Sequence, residues 1–223
     1  MEKMLIGDMN VELIEHMGTD LTVVNAARVS FNKQSGKFKD DDEKLIKYLA
    51  EHNHWTPFGH CTMQLKIKAP IFVARQLVKH QVGLTWNEIS RRYVKDDPDF
   101  FMPDAWRGNP ENVKQGSSET ETIEWLNRNK RINSSVVELY NKSIELYKQL
   151  LGVGVCAEQA RMVLPLSMFT EWYWTGSLYA FARVCNLRCT KDTQKETRYI
   201  ADKISTEAEK LFPVSWKYLI RKN

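Results

Sequence analysis

From Lys66 to Tyr93 the chain reads KIKAPIFVARQLVKHQVGLTWNEISRRY. Arg75, Gln76, Lys79, His80, Gln81, Asn87, Glu88, Ser90, Arg91, Arg92 and Tyr93 all fall inside it, between apolar runs. Folding alone gives little reason to crowd so many donors and cations together. Ammonium groups and guanidinium forks suit a phosphate or an anionic ring. The Glu88 carboxylate and the amides of Gln76 and Asn87 suit sugar hydroxyls or base edges. The segment reads as a nucleotide site.

The elements that must hold it follow from pattern. Met63, Leu65, Ile67 and Ala69 alternate with Gln64, Lys66 and Lys68, which predicts a half-buried strand over 62–69. Pro70 ends it and suits the first turn of a helix. Ile71, Phe72, Ala74, Leu77 and Val78 form that helix's apolar side, with Arg75, Gln76, Lys79 and His80 toward its C-terminal end. Residues 82–90 read as a loop hinged at Gly83. Upstream, 11–16 reads as a strand. Asp20 and Asp42 read as caps of two helices, the second carrying Leu45, Ile46, Leu49 and Ala50 on one face. Downstream, 96–115 holds three prolines and reads as an irregular surface excursion, mobile or lid-like. A long helix is expected over 119–151, a short one over 158–162, a strand over 169–175, and helices over 177–187 and 191–211. No repeat or linker breaks the chain, so residues 1–223 are expected to form a single α/β domain.

Bulk composition narrows the function. The chain has 223 residues, 43% hydrophobic and 27% charged, with a net charge of +4. That charge is too mild for wrapping nucleic acid but sufficient for small phosphorylated molecules. No apolar run approaches membrane-spanning length, and the N-terminus lacks a secretory pattern, so the cytoplasm is the expected location. Cys61, Cys156, Cys185 and Cys189 form no C-x-x-C pair and read as reduced thiols. His52, His54 and His60 lack the acid or thiol that would complete a metal site. Trp172, Tyr173 and Trp174 read as core or subunit contact. Arg75 and Arg198 read as structural ion-pair partners.

Four blocks carry a resemblance over nearly the whole length. They are AARVSF at 26–31, HWTPFGH at 54–60 running into KAPIFVARQ, NEISRRY at 87–93, and QARMVLPLSMFTEWYWTGS continuing to NLR at Arg188. With Gln194-x-Glu196-x-Arg198 beyond them, the chain resembles the flavin-dependent thymidylate synthases. The family signature is R-H-R, seven residues, then Ser. Here Lys79-His80-Gln81 is followed by eight residues and then Ser90. Gly59 stands where the family carries an acid, and Ser177 and Tyr179 stand where it has Asn and Arg. These departures cluster on the flavin side, and Lys offers a point charge where Arg offers a planar fork.

The resemblance implies a mixed α/β (α+β) fold, a mostly antiparallel central sheet flanked by helices, and a homotetramer with sites between subunits. It implies reductive methylation of dUMP to dTMP. Methylenetetrahydrofolate would donate the carbon, reduced FAD the hydride, and NADPH the electrons for FAD. Arg188 would be the catalytic residue, stabilising the N3-deprotonated uracil so that no cysteine need attack the ring. The dUMP set would be Gln76, Leu77, Val78, Lys79, Glu88, Ile89, Ser90, Arg91, Arg92, Arg161 and Arg188, with Arg92 and Arg161 nearest the phosphate. The FAD set would be Ser30, Thr56, Lys79, His80, Gln81, Glu88, Ser177, Leu178, Tyr179 and Arg183. His54 would help place folate or water. Two alternatives stay open: a flavin-dependent hydroxymethylase of a pyrimidine nucleotide, and a non-catalytic nucleotide-binding homologue.

Overall fold

The structure, a computed structural model, describes residues 6–94, 96–109, 123 and 130–221. The described chain opens with strand β1 (Asn10–Met17) and helix α1 (Asp20–Arg28). A 3-10 turn, Val29–Phe31, leads to α2 (Asp40–Glu51). A second 3-10 turn, Thr56–His60, precedes β2 (Thr62–Pro70), α3 (Ile71–Leu77) and β3 (Leu84–Glu88). Then come α4 (Lys130–Gly152), α5 (Ala157–Ala160), β4 (Phe169–Ser177), α6 (Leu178–Arg188), α7 (Lys195–Leu211) and α8 (Pro213–Leu219). The strands form one antiparallel four-stranded sheet in the order β1-β2-β4-β3, so the mixed fold and the antiparallel sheet agree with expectation.

Residues 82–90 were expected to be a loop; most of them are β3. In the strand, half-buried Leu84 and Trp86 alternate with exposed Thr85 and Asn87, but five residues are too few for that rhythm to stand out in the sequence. Its turn explains it. Leu84 N–H donates to Gln81 O at 3.2 Å, and Gly83 holds φ +77°. Positive φ at the third of four residues is the mark of a type II turn, which glycine adopts without strain.

The chain divides into two compact units. The first holds residues 1–10, 68–77 and 88–172. Its core gathers on Phe100, Tyr140 and Met168, with Ile71, Val136 and Ile144 packed against them. Phe100 and Tyr140 stack at 4.7 Å, and the Tyr140 hydroxyl donates to Phe101 O at 3.0 Å. The expectation of a surface excursion over 96–115 is therefore corrected in its described part. Residues 96–109 carry no helix or long strand, yet Phe100 is fully buried and bridges Ile6 and Met168. Residues 110–115, and 119–122 and 124–129 of the expected long helix, lie outside the described residues; Ile123 between them is not helical, and its N–H donates to Trp106 O at 3.1 Å.

The second unit holds residues 11–67, 78–87 and 173–223. Val23, Ile46, Phe58, Leu65, Trp174, Phe181 and Ile204 are fully buried in it. Asp20 does not cap its own helix. Thr19 N–H bonds to Thr22 Oγ1 at 3.0 Å, while the Asp20 carboxylate accepts from Val214 N and Ser215 N at 2.9 and 2.8 Å. It thus caps α8, an element the sequence pattern did not suggest. Asp42 likewise sits inside α2, accepting Lys39 N–H at 2.8 Å and pairing with Arg28 at 2.5 Å. A buried carboxylate needs such a pairing.

Candidate active site

In the second unit the Lys79-His80-Gln81 triplet faces α6 across a cleft of about 170 Å³. The first turns of α6 are set by Ser177, whose Oγ accepts Ala180 N–H at 3.2 Å, and by Leu178 N–H, which donates to Cys61 O at 2.8 Å. Helical spacing then presents Ala180, Arg183, Val184 and Leu187 to the cleft. Lys79, His80, Gln81 and Arg183 bring polar groups to the cleft, and Val82, Leu84, Ala180, Val184 and Leu187 bring apolar surface. Such a lining suits a molecule with a polar edge and a flat apolar body.

Backbone closeness keeps the triplet in place. Ser177 N–H donates to Gly83 O at 3.4 Å. A Cβ on Gly83 would meet Ala180 Cβ at 3.1 Å, and one on Gly176 would meet Gly83 O at 2.6 Å. Both glycines are needed for strand β3 to approach β4 this closely.

Arg188 ends α6 half-buried, and its Nε–H donates to His80 Nε2 at 3.0 Å. The imidazole is therefore neutral at that nitrogen. Burial pushes the His80 pKa below the usual histidine value, and the Arg188 and Arg183 charges push the same way.

Of the other expected flavin residues, Ser30 and Thr56 are exposed on separate 3-10 turns and do not line the cleft. Leu178 is fully buried, so only its backbone could reach a ligand. Tyr179 packs by Trp55 with ring centroids 6.1 Å apart. His54 and His52 gather around Tyr48, at 5.9 and 4.1 Å. No group of three His, Cys, Asp or Glu among the described residues is placed to hold a metal.

The first unit contains a second cluster. Gln76 is half-buried on α3, and Leu77 is core. Glu88 accepts a 2.7 Å hydrogen bond from Thr170, a buried residue that sequence reasoning missed. Ile89 N–H donates to Glu171 O at 2.9 Å, fixing the chain just past β3. Ser90 begins a turn in which its carbonyl accepts Tyr93 N–H and its Oγ accepts Arg92 N–H. Arg92 lies 3.9 Å from the Glu158 carboxylate, and Arg161 Nε donates to Glu158 O at 3.3 Å. The two arginines expected near a phosphate thus meet at α5. Arg91 instead turns its guanidinium to the Asp96 carbonyl, and burial lowers its pKa. Its side chain is engaged by the chain's own backbone.

The family model described as thymidylate synthase complementing protein matches residues 12–214. A flavin-dependent thymidylate synthase from Thermosipho melanesiensis is 36% identical over 217 residues, covering 96% of this chain and 91% of its own. One from Thermus thermophilus is 35% identical, covering 92% of this chain and 73% of its own. The chain belongs to the flavin-dependent thymidylate synthases. A solved UMP/dUMP methylase from Streptomyces cacaoi, bound to 5-Br dUMP, superposes with a TM-score of 0.84 at 29% identity, over 97% of this chain and 96% of that one. The protein is accordingly an enzyme of the methyltransferase kind.

Two of the four thiols are buried. Cys61 is fully buried, and burial pushes its pKa up to about 12, with Asp20 adding to the effect. Cys185 is buried too and its pKa is raised, first by burial. Such thiols stay protonated at neutral pH and are poor nucleophiles.

Proposed function

We propose that the chain methylates C5 of dUMP reductively to give dTMP, with methylenetetrahydrofolate as carbon donor, FAD as hydride carrier and NADPH as reductant. The observation that carries this reading is the contact between Arg188 and His80 at the edge of the cationic cleft. A guanidinium in contact with the cleft's histidine supports a site where Arg188 acts beside a bound flavin. Lys79, Gln81 and Arg183 supply donors for its polar edge, and Ala180 and Leu187 supply surface for its apolar ring. When bound, FAD supplies the hydride; the protein's part is alignment and field.

The chain's own residues then have these roles. Arg188 lowers the energy of the uracil anion deprotonated at N3, which makes C5 electron-rich without a covalent thiol. Arg92 and Arg161 hold the phosphate as a pair of forks. Glu88, aimed by Thr170, accepts hydrogen bonds from the sugar, and Gln76 bonds to the base or sugar. The high pKa of Cys61 and Cys185 supports a route that spares cysteine.

The cleft supports a shared site. Its volume falls below the roughly 300–1,000 Å³ of a typical ligand pocket, and exposed Phe31, Trp55, Val82 and Leu187 offer apolar surface for another copy. We infer a homotetramer whose subunits complete each other's sites. The cytoplasm suits the chemistry, since all four cysteines are free thiols. No helix among the described residues is long and apolar enough to cross a membrane.

The test is tritium release from 5-labelled dUMP with folate, FAD and NADPH, each omitted in turn, and product mass. Release dependent on all components, with a methyl product, is expected. An extra oxygen would mean hydroxymethylation. Binding of dUMP without any turnover would leave a nucleotide-binding homologue. UMP is run beside dUMP, because the solved Streptomyces cacaoi neighbour is a methylase of both.

A further inference from the structure

Arg188 has three ways to be held, and the protein uses the one that spares its terminal fork. The 3.0 Å bond to His80 engages only Nε–H, while Nη1 and Nη2 carry the guanidinium's other four protons. We propose that His80 is a positioning residue for Arg188, orienting the guanidinium through a neutral acceptor that does not cancel its charge. This rests on the reading of Arg188 given above.

The choice of imidazole is what makes the contact informative. A carboxylate at position 80 would hold Nε as well, but its negative charge would offset the field that favours the uracil anion. A neutral imidazole accepts the same proton and leaves the charge in place. The charged groups around it are Lys79, its neighbour in the chain, and Arg183 and Arg188 from α6; no acid lines the cleft among the described residues. A second proton on His80 would remove the lone pair that Arg188 uses and add a cation to this set. The electrostatics keep the ring in its accepting form while Arg188 stays charged.

Three substitutions separate orientation from charge. His80→Gln keeps a neutral acceptor, His80→Glu keeps an acceptor but adds a negative charge, and His80→Leu removes the acceptor. Tritium release from labelled dUMP is measured from pH 5 to 8.5 with saturating FAD, and FAD affinity is titrated separately by fluorescence. His80→Gln is expected to keep kcat/KM within about threefold and to lose the wild-type acid limb, since an amide does not titrate. His80→Leu and His80→Glu are expected to lose about tenfold or more, the scale of one charged hydrogen bond. Calorimetry of dUMP binding to FAD-free protein should show His80→Leu weakening binding in the wild type but not beside Arg188→Lys. The proposal is overturned if His80→Gln falls as far as His80→Leu, if His80→Glu stays active, if the acid limb survives in His80→Gln, or if the two substitutions add independently. No release by the wild type would remove the reaction and this proposal together. Release by the wild type with one of those variant patterns would remove the proposal alone. Circular dichroism confirms folding, and His80→Gln carries the test if His80→Leu does not fold.

Discussion

Thr170 donates a 2.7 Å hydrogen bond to Glu88, and the threonine is buried while the carboxylate is exposed. A buried hydroxyl thus aims an exposed acid. Thr170→Val keeps the shape and removes the donor. We expect KM for dUMP to rise about fivefold to tenfold with kcat little changed, in line with the net worth of about 0.5–1.5 kcal/mol for one such bond. Thr170→Ser should restore most of the affinity. Steady-state kinetics on the pair decide it; an unchanged KM in Thr170→Val would take Glu88 out of substrate binding.

Arg188→Ala should lower turnover by about 10²–10³-fold, the scale seen when one preorganised charge donor is removed. Secondary structure and much of the FAD binding should remain, because the cleft's other donors come from Lys79, Gln81 and Arg183. Near-normal tritium release would strip Arg188 of its role.

Cys156→Ser and Cys189→Ser should each keep at least about half of the wild-type rate, as expected where no thiolate is needed. Cys189 directly follows Arg188, so it is the thiol best placed to object. A dead Cys189→Ser with intact circular dichroism would restore covalent catalysis.

Lys79→Arg combined with Gln81→Arg should tighten FAD, because planar forks replace a point charge and an amide. Fluorescence titration reads the change. Weaker binding would show that the type II turn at Gly83 has rebuilt the pocket around the present side chains.

Stability should depend on pH through His80. Its folded pKa lies below the usual value near 6.5. The unfolded chain therefore takes up the proton first, and stability falls as pH drops from about 6.5 toward the folded value. Urea midpoints between pH 7 and 5 should fall more for the wild type than for His80→Gln. Equal slopes would mean that His80 titrates alike in both states.

Much of this was legible in the chain. The alternation from Met63 to Ala69 and the aromatic run around Trp172 each announced a strand. What escaped did so for physical reasons. Strand β3 is a five-residue edge, too short for the alternation of Leu84 and Trp86 with Thr85 and Asn87 to stand out. Asp20 has the composition of a local cap, and nothing nearby in sequence says that its acceptors serve amides almost two hundred residues away. Helix α8 hides behind Pro213, which looks like an ending but sits at a helix start. Thr170 lies inside a strand, where a hydroxyl gives no hint of an acid on the neighbouring strand.

The squeeze at Gly176 also sets how this enzyme can be re-engineered. Anyone diversifying the triplet to accept altered isoalloxazines should leave positions 83 and 176 untouched, since even a methyl at 176 would collide with Gly83 O and the Leu84 side chain. Lys79 and Gln81, which line the cleft without any such backbone squeeze, are the places to randomise. A library built that way explores new cofactors without prying the sheet apart.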